Sequence, residues 1–179
     1  LTESVLSASR LDEGKIAYAP AMTDLGAILT EARANAASFY PDRHFDLKIE
    51  GEFSSTFLDE TLIRQVVSNL LSNAGKYTDP GGQVEISLSR DPDRGQILIE
   101  VSDNGIGVSP NELDRLSERF FRAKSGVGRP GTGIGLYLIA QFLGLHGGRL
   151  EIESDLGFGS RFRAILPASG EMQAPALAS

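Results

Sequence analysis

Residues 83–103, Gln-Val-Glu-Ile-Ser-Leu-Ser-Arg-Asp-Pro-Asp-Arg-Gly-Gln-Ile-Leu-Ile-Glu-Val-Ser-Asp, hold two runs in which apolar and polar residues alternate. A period of two residues is typical of strands with one buried face. The runs are separated by Asp91-Pro92-Asp93-Arg94-Gly95, whose residue types favour a turn. The segment therefore predicts a β-hairpin with a longer loop, and hence an antiparallel pair of strands.

A second hairpin is predicted near the C-terminus, from residues 149–154 and 160–166. Two hairpins exclude an all-parallel, doubly wound sheet, because parallel neighbours need long crossover connections. The alternating residues 44–50 and the short run 53–58 predict a ribbon, and residues 17–23 predict a loop.

Apolar residues at helical spacing surround these strands. The spacing predicts helices over residues 24–39, 59–77 and 134–145, and residues 1–16 have the pattern of the tail of a longer helix. Ser109-Pro110-Asn111-Glu112 predicts a cap followed by a short helix. These elements predict one mixed sheet with helices on one face.

The chain has 179 residues, 41% of them hydrophobic and 23% charged, which is ordinary for one folded domain. Its formal net charge of −7 argues against broad binding to nucleic acid or to an anionic membrane surface. The absence of cysteine excludes disulfides and thiolate metal sites. Because the chain begins with Leu1 rather than methionine, we interpret it as part of a longer protein, and residues 168–179 as a loose tail.

The helix predicted over residues 59–77 carries a polar stripe beside its apolar face. At about 100° per residue, Gln65, Asn73 and Lys76 all lie within about 40° of Asn69. Asparagine is a poor residue for a helix interior, because its amide competes for backbone hydrogen bonds. Two interpretations stay open: the amides face solvent, or an Asn73 oxygen ligates a hard cation such as Mg²⁺ while Lys76 faces a phosphate.

Asp103 ends the second strand of the hairpin on the face that also carries Ile99 and Val101. A carboxylate that points toward a core needs hydrogen-bond donors, because its desolvation costs several kcal/mol. An adenine amino group would be one such donor. The backbone amides of Gly105 and Gly107, in a turn, would be others, and both interpretations stay open.

Residues 119–136 combine glycines with basic side chains. Gly126 to Gly131 match G-x-G-x-x-G, but no strand precedes them, so a dinucleotide-binding fold is excluded. Thr132 stands where a P-loop needs lysine. What remains is a glycine-rich segment over residues 123–135, predicted to be a mobile loop, that opens into a helix whose N-terminal amides favour an anion. An ordinary basic loop stays open as the alternative.

The order of these segments resembles the catalytic ATP-binding domain of sensor histidine kinases. Residues 69–76, 103–107, 119–122 and 131–136 are similar to the N, G1, F and G2 boxes of that family. The resemblance covers residues 23–167 and implies the Bergerat ATP-binding fold, an α/β (α+β) two-layer sandwich in which a mixed, mostly antiparallel sheet carries about three helices on one face. DNA gyrase, mismatch-repair and heat-shock chaperone ATPases share this fold.

The resemblance implies a role for each matching residue. Asp103 would accept a hydrogen bond from the adenine amino group, Asn73 would bind Mg²⁺, and Tyr77 would pack near the nucleotide. Asn69 would support the metal and phosphates, and Lys76 would contact phosphate. Arg119 or Arg122 would meet the terminal phosphate or a partner domain. Asn69, Lys76, Arg119 and Arg122 are thus the expected catalytic residues, and the expected cradle for ATP consists of Gly105, Gly107, Gly131, Thr132, Gly133, Gly135 and Leu136.

One departure separates the chain from the ATPases of this fold. They carry a water-activating glutamate one helical turn before the metal-binding asparagine, and here that position is Asn69. An amide has no useful basicity, so the sequence favours a kinase over an ATPase. The resemblance places the acceptor histidine upstream of Leu1, and neither His44 nor His146 has its setting, so we expect the chain to bind Mg-ATP without labelling itself.

We expect residues 1–16 to end a dimerisation and phosphotransfer helix, 17–167 to form the catalytic domain, and 168–179 to be a flexible tail. The partners implied are the upstream hairpin, a response-regulator receiver domain and a second copy in the full-length protein, with no nucleic acid. The location implied is cytoplasmic, in a soluble or inner-membrane-anchored parent. The alternatives are a catalytically silent nucleotide-binding or dimerisation module, and an anti-sigma-type serine kinase, against which the preceding helix argues.

Overall fold

A computed structural model describes residues 2–167. Its helices are α1 (Thr2–Asp12), α2 (Leu25–Phe39), α3 (Glu60–Tyr77) and α4 (Gly135–Leu145), with 3-10 helices at Pro110–Arg115 and Lys124–Gly126. Its strands are β1 (Ala21–Thr23), β2 (His44–Ile49), β3 (Thr56–Leu58), β4 (Gln83–Arg90), β5 (Ile97–Asp103), β6 (Arg149–Asp155) and β7 (Gly159–Leu166). Within residues 2–167, no helix combines the length and the apolar character needed to cross a membrane.

The main sheet has five strands in the order β2-β4-β5-β7-β6. Strands β2 and β4 are parallel, and the other three neighbouring pairs are antiparallel. Both predicted hairpins are present, with Val84 opposite Asp103 in one and Arg149 opposite Ile165 in the other. The prediction of a mixed, mostly antiparallel sheet is confirmed.

The core lies between this sheet and helices α2, α3 and α4, with α3 in contact with both of the other two helices. Ile63, Val66, Val67 and Leu70 of α3 are fully buried. Burial of each side chain of this size stabilises the fold by about 1.5–3 kcal/mol. Because α3 is fixed by its apolar face, the direction of its polar stripe is fixed as well.

The first turn of α3 is anchored by a buried cluster. Asp59 caps the helix: its Oδ1 accepts from the amide of Leu62 (3.0 Å), and its Oδ2 accepts from the amide of Ala19 (2.8 Å). His146, at the end of α4, accepts from the amide of Asp59 at Nε2 (3.0 Å) and bonds the carbonyl of Phe142 through Nδ1 (2.7 Å). The cluster therefore ties the start of α3 to the end of α4.

The predicted ribbon of residues 44–50 with 53–58 is wrong. Strand β2 instead pairs in parallel with β4, and β3 pairs in antiparallel fashion with β1, within the segment 17–23 that we predicted to be a loop. The physical reason is that α3 lies between β2 and β4 in the chain, and a helical crossover returns the next strand parallel to the first. Alternation reveals a strand, but not its partner.

The predicted cap at Ser109 is also different in the structure. The helix after it is a 3-10 helix, Pro110–Arg115, and the Ser109 side chain makes no capping hydrogen bond. The backbone carbonyl of Ser109 accepts from the amide of Glu112 instead (2.9 Å), which closes the tighter turn. The predicted loop 123–135 contains a further 3-10 turn, and the predicted tail, 168–179, lies outside the described residues.

Candidate functional site

A cavity of about 480 Å³ lies between α3, the end of β5, the glycine-rich segment and the start of α4. It brings together twelve of the fourteen residues that the sequence analysis singled out, which are Asn69, Asn73, Lys76, Tyr77, Asp103, Gly107, Arg122, Gly131, Thr132, Gly133, Gly135 and Leu136. Gly105 and Arg119 are not among its lining residues.

The α3 wall of the cavity carries the predicted polar stripe. Asn69 and Asn73 are half-buried there, and within residues 2–167 their side chains form no hydrogen bond. A Cβ placed on Gly135 would lie 3.9 Å from Asn69 Cγ and 3.9 Å from Asn73 Nδ2. The two amides therefore face the first residue of α4, and their polar atoms are available to a ligand.

Asp103 forms the end wall, at the end of β5 and opposite Ser160 of β7. It is 8% exposed, and its Oδ1 accepts from the amide of Gly105 (2.9 Å). Burial raises the pKa of the Asp103 carboxyl above its usual value, against the effect of hydrogen bonds from the backbone of Gly105 and Ser160. The hydrogen bond expected from the turn is thus present for Gly105, and the carboxylate also borders the cavity, where recognition of adenine stays a prediction.

The glycines after Asp103 allow close contact with the backbone of neighbouring segments. A Cβ on Gly105 would lie 2.3 Å from the carbonyl oxygen of Tyr77, and a Cβ on Gly107 would lie 1.9 Å from that of Asp155. Gly107 also has a φ of +63°, which residues other than glycine rarely adopt. Gly105 itself is not among the lining residues, and it packs closely against the backbone of Tyr77 at the end of α3.

The wall opposite α3 is built from the glycine-rich segment and the start of α4. Helix α4 begins at Gly135 without a side-chain cap, and its first backbone bond runs from the amide of Leu138 to the carbonyl of Ile134 (2.9 Å). The amides of residues 135–137 therefore have no partner within the helix. Free amides and the positive end of the helix dipole favour an anion at this side of the cavity.

Of the three cationic residues expected at the site, Lys76 and Arg122 line the cavity and Arg119 does not. Burial and the neighbouring Arg122 lower the pKa of Lys76 from its usual value. Arg122 donates from Nη2 to the carbonyl of Gly126 (3.0 Å). Arg119 is ion-paired with Asp12 of α1 and stacks on the ring of Phe120. Of the two arginines expected at the terminal phosphate, the structure brings Arg122 to the cavity and Arg119 to the N-terminal helix, where a carboxylate is within its reach.

Several apolar and aromatic lining residues were missed by the sequence analysis. Ser160 and Phe162 of β7 lie beside β5, and the hairpin register could have indicated them, since Ser160 pairs with Asp103. Tyr40 covers Gly75, where a Cβ would lie 2.3 Å from its ring, and no sequence signal pointed to it. Phe39, Ser72, Val108 and Leu116 were missed as well. The other lining residues lie in segments that the sequence had indicated without naming them as site residues, and they are Ile106, Phe121, Ala123, Ser125, Gly126 and Pro130.

The sequence resembles several curated bacterial proteins. It is 33% identical over 173 residues to the circadian input-output histidine kinase CikA of Synechococcus elongatus, covering 93% of this chain and 23% of that protein. It is 34% identical over 169 residues to the alginate biosynthesis sensor protein KinB of Pseudomonas aeruginosa, covering 93% of this chain and 28% of that protein. The chain thus spans about a quarter of the length of these relatives.

The fold resembles solved structures of the same kind. The mycobacterial sensor histidine kinase MprB superposes with a TM-score of 0.72 at 26% identity, over 84% of this chain and 97% of that one. Full-length ShkA in complex with AMPPNP superposes with a TM-score of 0.80 at 25% identity, over 93% of this chain and 35% of that one. The two-layer α/β architecture expected from the sequence is therefore confirmed.

The sequence profile of one protein family matches residues 58–170, which is more than half of the chain. The matched range includes α3, the β4–β5 hairpin, the glycine-rich segment and α4, which are the elements that enclose the cavity. The chain belongs to the family of histidine kinase-, DNA gyrase B- and HSP90-like ATPases.

Proposed function

We propose that the chain is the ATP-binding catalytic domain of a sensor histidine kinase, which transfers the γ-phosphoryl group of ATP to a histidine upstream of Leu1. The observation that carries this proposal is the convergence of Asn73, Asp103 and the start of α4 on one cavity. A buried acid, a pair of free amides and a helix N-terminus are complementary to a purine, a metal ion and phosphates, respectively. The family and the names of the relatives support the same function.

In this proposal the adenine binds at Asp103, whose carboxylate accepts from the amino group. The phosphates lie toward Lys76, Arg122 and the free amides of α4, where positive charge and donors are gathered. Gly131, Thr132, Gly133 and Leu136 form the backbone cradle, and Tyr77 packs beside it. AMPPNP bound to the similar protein ShkA supports a nucleoside triphosphate as the ligand.

The residues present also fit a Mg²⁺ ion. Asn73 offers an amide oxygen, which is a ligand type that Mg²⁺ accepts, and Asn69 stands one helical turn before it. Bound there, the ion would neutralise charge on the phosphate oxygens. The protein's own part is to hold the amide in place, which α3 does through its buried apolar face.

The side chains favour transfer over hydrolysis. Phosphoryl transfer asks the protein mainly for positioning and for charge stabilisation. Lys76, Arg122 and the start of α4 supply both. Asn69 stands where a general base would activate water, and an amide cannot take that proton. The γ-phosphoryl group is thereby kept for another acceptor.

Neither histidine of the described chain is suited to be that acceptor. His146 is 2% exposed, and both of its ring nitrogens are engaged by the backbone of Asp59 and Phe142. His44 is exposed at the start of β2 and is not among the lining residues of the cavity. We therefore expect the chain to bind Mg-ATP without phosphorylating itself.

The proposal extends to the domain organisation and the partners. Residues 1–16 would end the dimerisation and phosphoacceptor hairpin, 17–167 would be the catalytic domain, and 168–179 a flexible tail. The parent would act as a homodimer in the cytoplasm, soluble or anchored to the inner membrane, and pass its phosphoryl group to a receiver domain. The packing of α1 on the core, through the fully buried Ala8 and a bond from Ser7 Oγ to Gln65 (3.3 Å), is consistent with this arrangement.

A longer polypeptide that includes the preceding hairpin tests the proposal. Incubation with γ-labelled ATP and Mg²⁺ should place acid-labile label on a histidine of the hairpin, while the chain of 179 residues alone stays unlabelled. Binding without any label would favour the catalytically silent module. Label on a serine would favour the anti-sigma type of kinase. Label on His44 or His146 would show that the chain contains its own acceptor and would contradict the proposal.

A further inference from the structure

The glycine-rich segment that follows Arg122 is held by two guanidinium groups. Arg122 Nη2 donates to the carbonyls of Gly126 (3.0 Å) and Arg129, which folds the segment on itself. Arg129 reaches across to the end of α3, where Nη1 donates to the carbonyl of Lys76 (2.6 Å) and Nη2 to Oδ1 of Asp79 (2.6 Å). The second set of bonds fastens the segment to α3.

The end of α3 suits an arginine at this position. The Lys76 carbonyl belongs to the last turn, where carbonyls lack helical partners and carry the negative end of the helix dipole. The planar guanidinium of Arg129 reaches this carbonyl and the Asp79 carboxylate at the same time. The Asp79 side chain is 72% exposed and that of Arg129 only 27%, so the bond to the carbonyl is better shielded than the ion pair.

The hydrogen bonds of Arg129 to Lys76 and Asp79 lie next to the cavity but outside its wall. Lys76, Tyr77 and Gly131 line the cavity, and Arg129 does not. A Cβ placed on Gly131 would lie 3.7 Å from Lys76 Nζ and 3.6 Å from the Tyr77 hydroxyl, and one on Gly126 would lie 3.1 Å from the Tyr77 ring. The spacing between α3 and the glycine-rich segment is thus set at the point where Arg129 joins them.

We propose that Arg129 is a positioning residue for the nucleotide. By fastening the glycine-rich segment to the last turn of α3, it holds Gly131 opposite Lys76 at the spacing that the phosphates require. Asp79 acts through Arg129 by orienting its guanidinium. This inference rests on the proposed nucleotide binding and adds two residues to it, neither of which touches the ligand.

The alternative role for Arg129 is a direct contact with phosphate. Removal of the Asp79 side chain distinguishes this role from positioning. If Arg129 acts as a fastening, removal of Asp79 weakens nucleotide binding. If Arg129 binds phosphate directly, removal of Asp79 frees the guanidinium from a competing anion and strengthens binding. The sign of the Asp79 effect therefore decides between positioning and contact.

The experiment measures the Kd of a nonhydrolysable ATP analogue with Mg²⁺ by titration calorimetry. We expect Arg129→Ala to raise the Kd on the order of tenfold, because it removes two charge-assisted hydrogen bonds. Asp79→Ala should raise it about twofold to fivefold, as exposed ion pairs do, and should have no further effect in the Arg129→Ala background. The Kd of Arg129→Lys should lie between those of the unmodified chain and Arg129→Ala, since an ammonium lacks the planar arrangement of donors of a guanidinium. Arg94→Ala, an exposed loop variant with the same loss of charge, should bind as the unmodified chain does.

Hydrogen exchange without nucleotide gives a second, independent readout. The amides of residues 123–131 should exchange faster in Arg129→Ala and in Asp79→Ala than in the unmodified chain or in Arg94→Ala. Unchanged exchange, an unchanged Kd, additive Kd effects or tighter binding by Asp79→Ala would each overturn the positioning role. Failure of the unmodified chain to bind the analogue would instead refute the proposed function, and exchange would still report on the fastening.

Discussion

At the scale of single residues, the unusual feature of the site is a carboxylate that is 8% exposed at the end of β5. Asp103 keeps one oxygen on the amide of Gly105 and borders the cavity. Its raised pKa means that its charge costs stability at pH values above the ordinary pKa of an aspartate, about 3.9. A group that costs folding stability and borders a cavity is a candidate for ligand recognition.

Asp103→Asn should reduce the preference for adenine. The new amide can still accept from Gly105, but it presents a donor where the adenine amino group also donates. We expect the Kd for the ATP analogue to rise about tenfold or more, with a smaller change for the GTP analogue. Titration calorimetry with both analogues checks this, and Asp46→Asn, an exposed change on β2, is the matched control. An unchanged ratio of the two Kd values would contradict the assignment.

Asn73→Ala should remove the dependence of binding on Mg²⁺. The substitution deletes the amide oxygen, while alanine preserves or improves helix propensity, so α3 should stay folded. We expect the affinity for the ATP analogue with Mg²⁺ to fall on the order of tenfold, to the value measured with EDTA. Asn35→Ala, an exposed change in α2, should leave the effect of Mg²⁺ intact. A retained effect of Mg²⁺ in Asn73→Ala would show that other residues bind the metal.

The residues that could be predicted from the sequence are those whose direction is set locally. The 3.6-residue period of α3 placed Asn69, Asn73 and Lys76 on one stripe, and the two-residue period of β5 turned Asp103 inward. Arg119 could not be placed, because its ion pair with Asp12 joins positions far apart in the chain. Its direction depends on tertiary packing, which no local pattern contains.

At the scale of elements, α3 is the helix that positions the site, and its start depends on His146. Because Nε2 accepts from the amide of Asp59, it carries no proton, so the ring is neutral and Nδ1 donates to the carbonyl of Phe142. Burial lowers the pKa of His146 below its usual value, against the effects of the Phe142 carbonyl and Asp59. The Tyr18 ring and the imidazole pack in a T-shaped arrangement, with centroids 5.1 Å apart. Protonation at Nε2 would remove the acceptor that holds the cap of α3.

The stability of the chain should therefore fall as the pH decreases through about 6.5, the ordinary pKa of histidine. Below that pH the unfolded chain binds a proton at His146 that the folded chain does not, so the free energy of unfolding rises with pH, by at most about 1.4 kcal/mol per pH unit. Urea unfolding at several pH values between about 5.5 and 8 measures this slope. His146→Gln should lower the slope, because glutamine does not titrate. Parallel curves for the two proteins would contradict the role of the neutral ring.

Elements were predictable to the extent that their signal lies in their own residues. Helices α2, α3 and α4 begin one residue after the predicted starts and end at the predicted ends, because their apolar periodicity marks them. The partner of β2 was not predictable from alternation. Its parallel pairing with β4 follows from the α3 crossover, and β1 is only three residues long, which is too short for a period to be visible.

At the scale of the whole molecule, the cavity exists because parts of the chain that are distant in sequence meet at one end of the sheet. The predicted site residues lie in three of these parts, which are residues 69–77 of α3, residues 103–108 at and after the end of β5, and residues 121–136 before and within α4, and Phe39, Tyr40, Leu116, Ser160 and Phe162 complete the lining. Each part alone allowed an ordinary structural interpretation. Their convergence was implied by the order of the motifs in the family resemblance rather than by any one of them, since contacts between distant segments leave no local pattern.

The central claim is that these three parts enclose one Mg-ATP molecule. The most direct measurement is a crystal structure of the chain with a nonhydrolysable ATP analogue and Mg²⁺. We predict electron density for the adenine amino group at the Asp103 carboxylate, for the metal at Asn73, and for the phosphates between Lys76 and the start of α4. Nucleotide bound elsewhere, for instance in the groove between α2 and α3 that Ile28 and Leu71 line, with Asp103 free of adenine, would contradict the account.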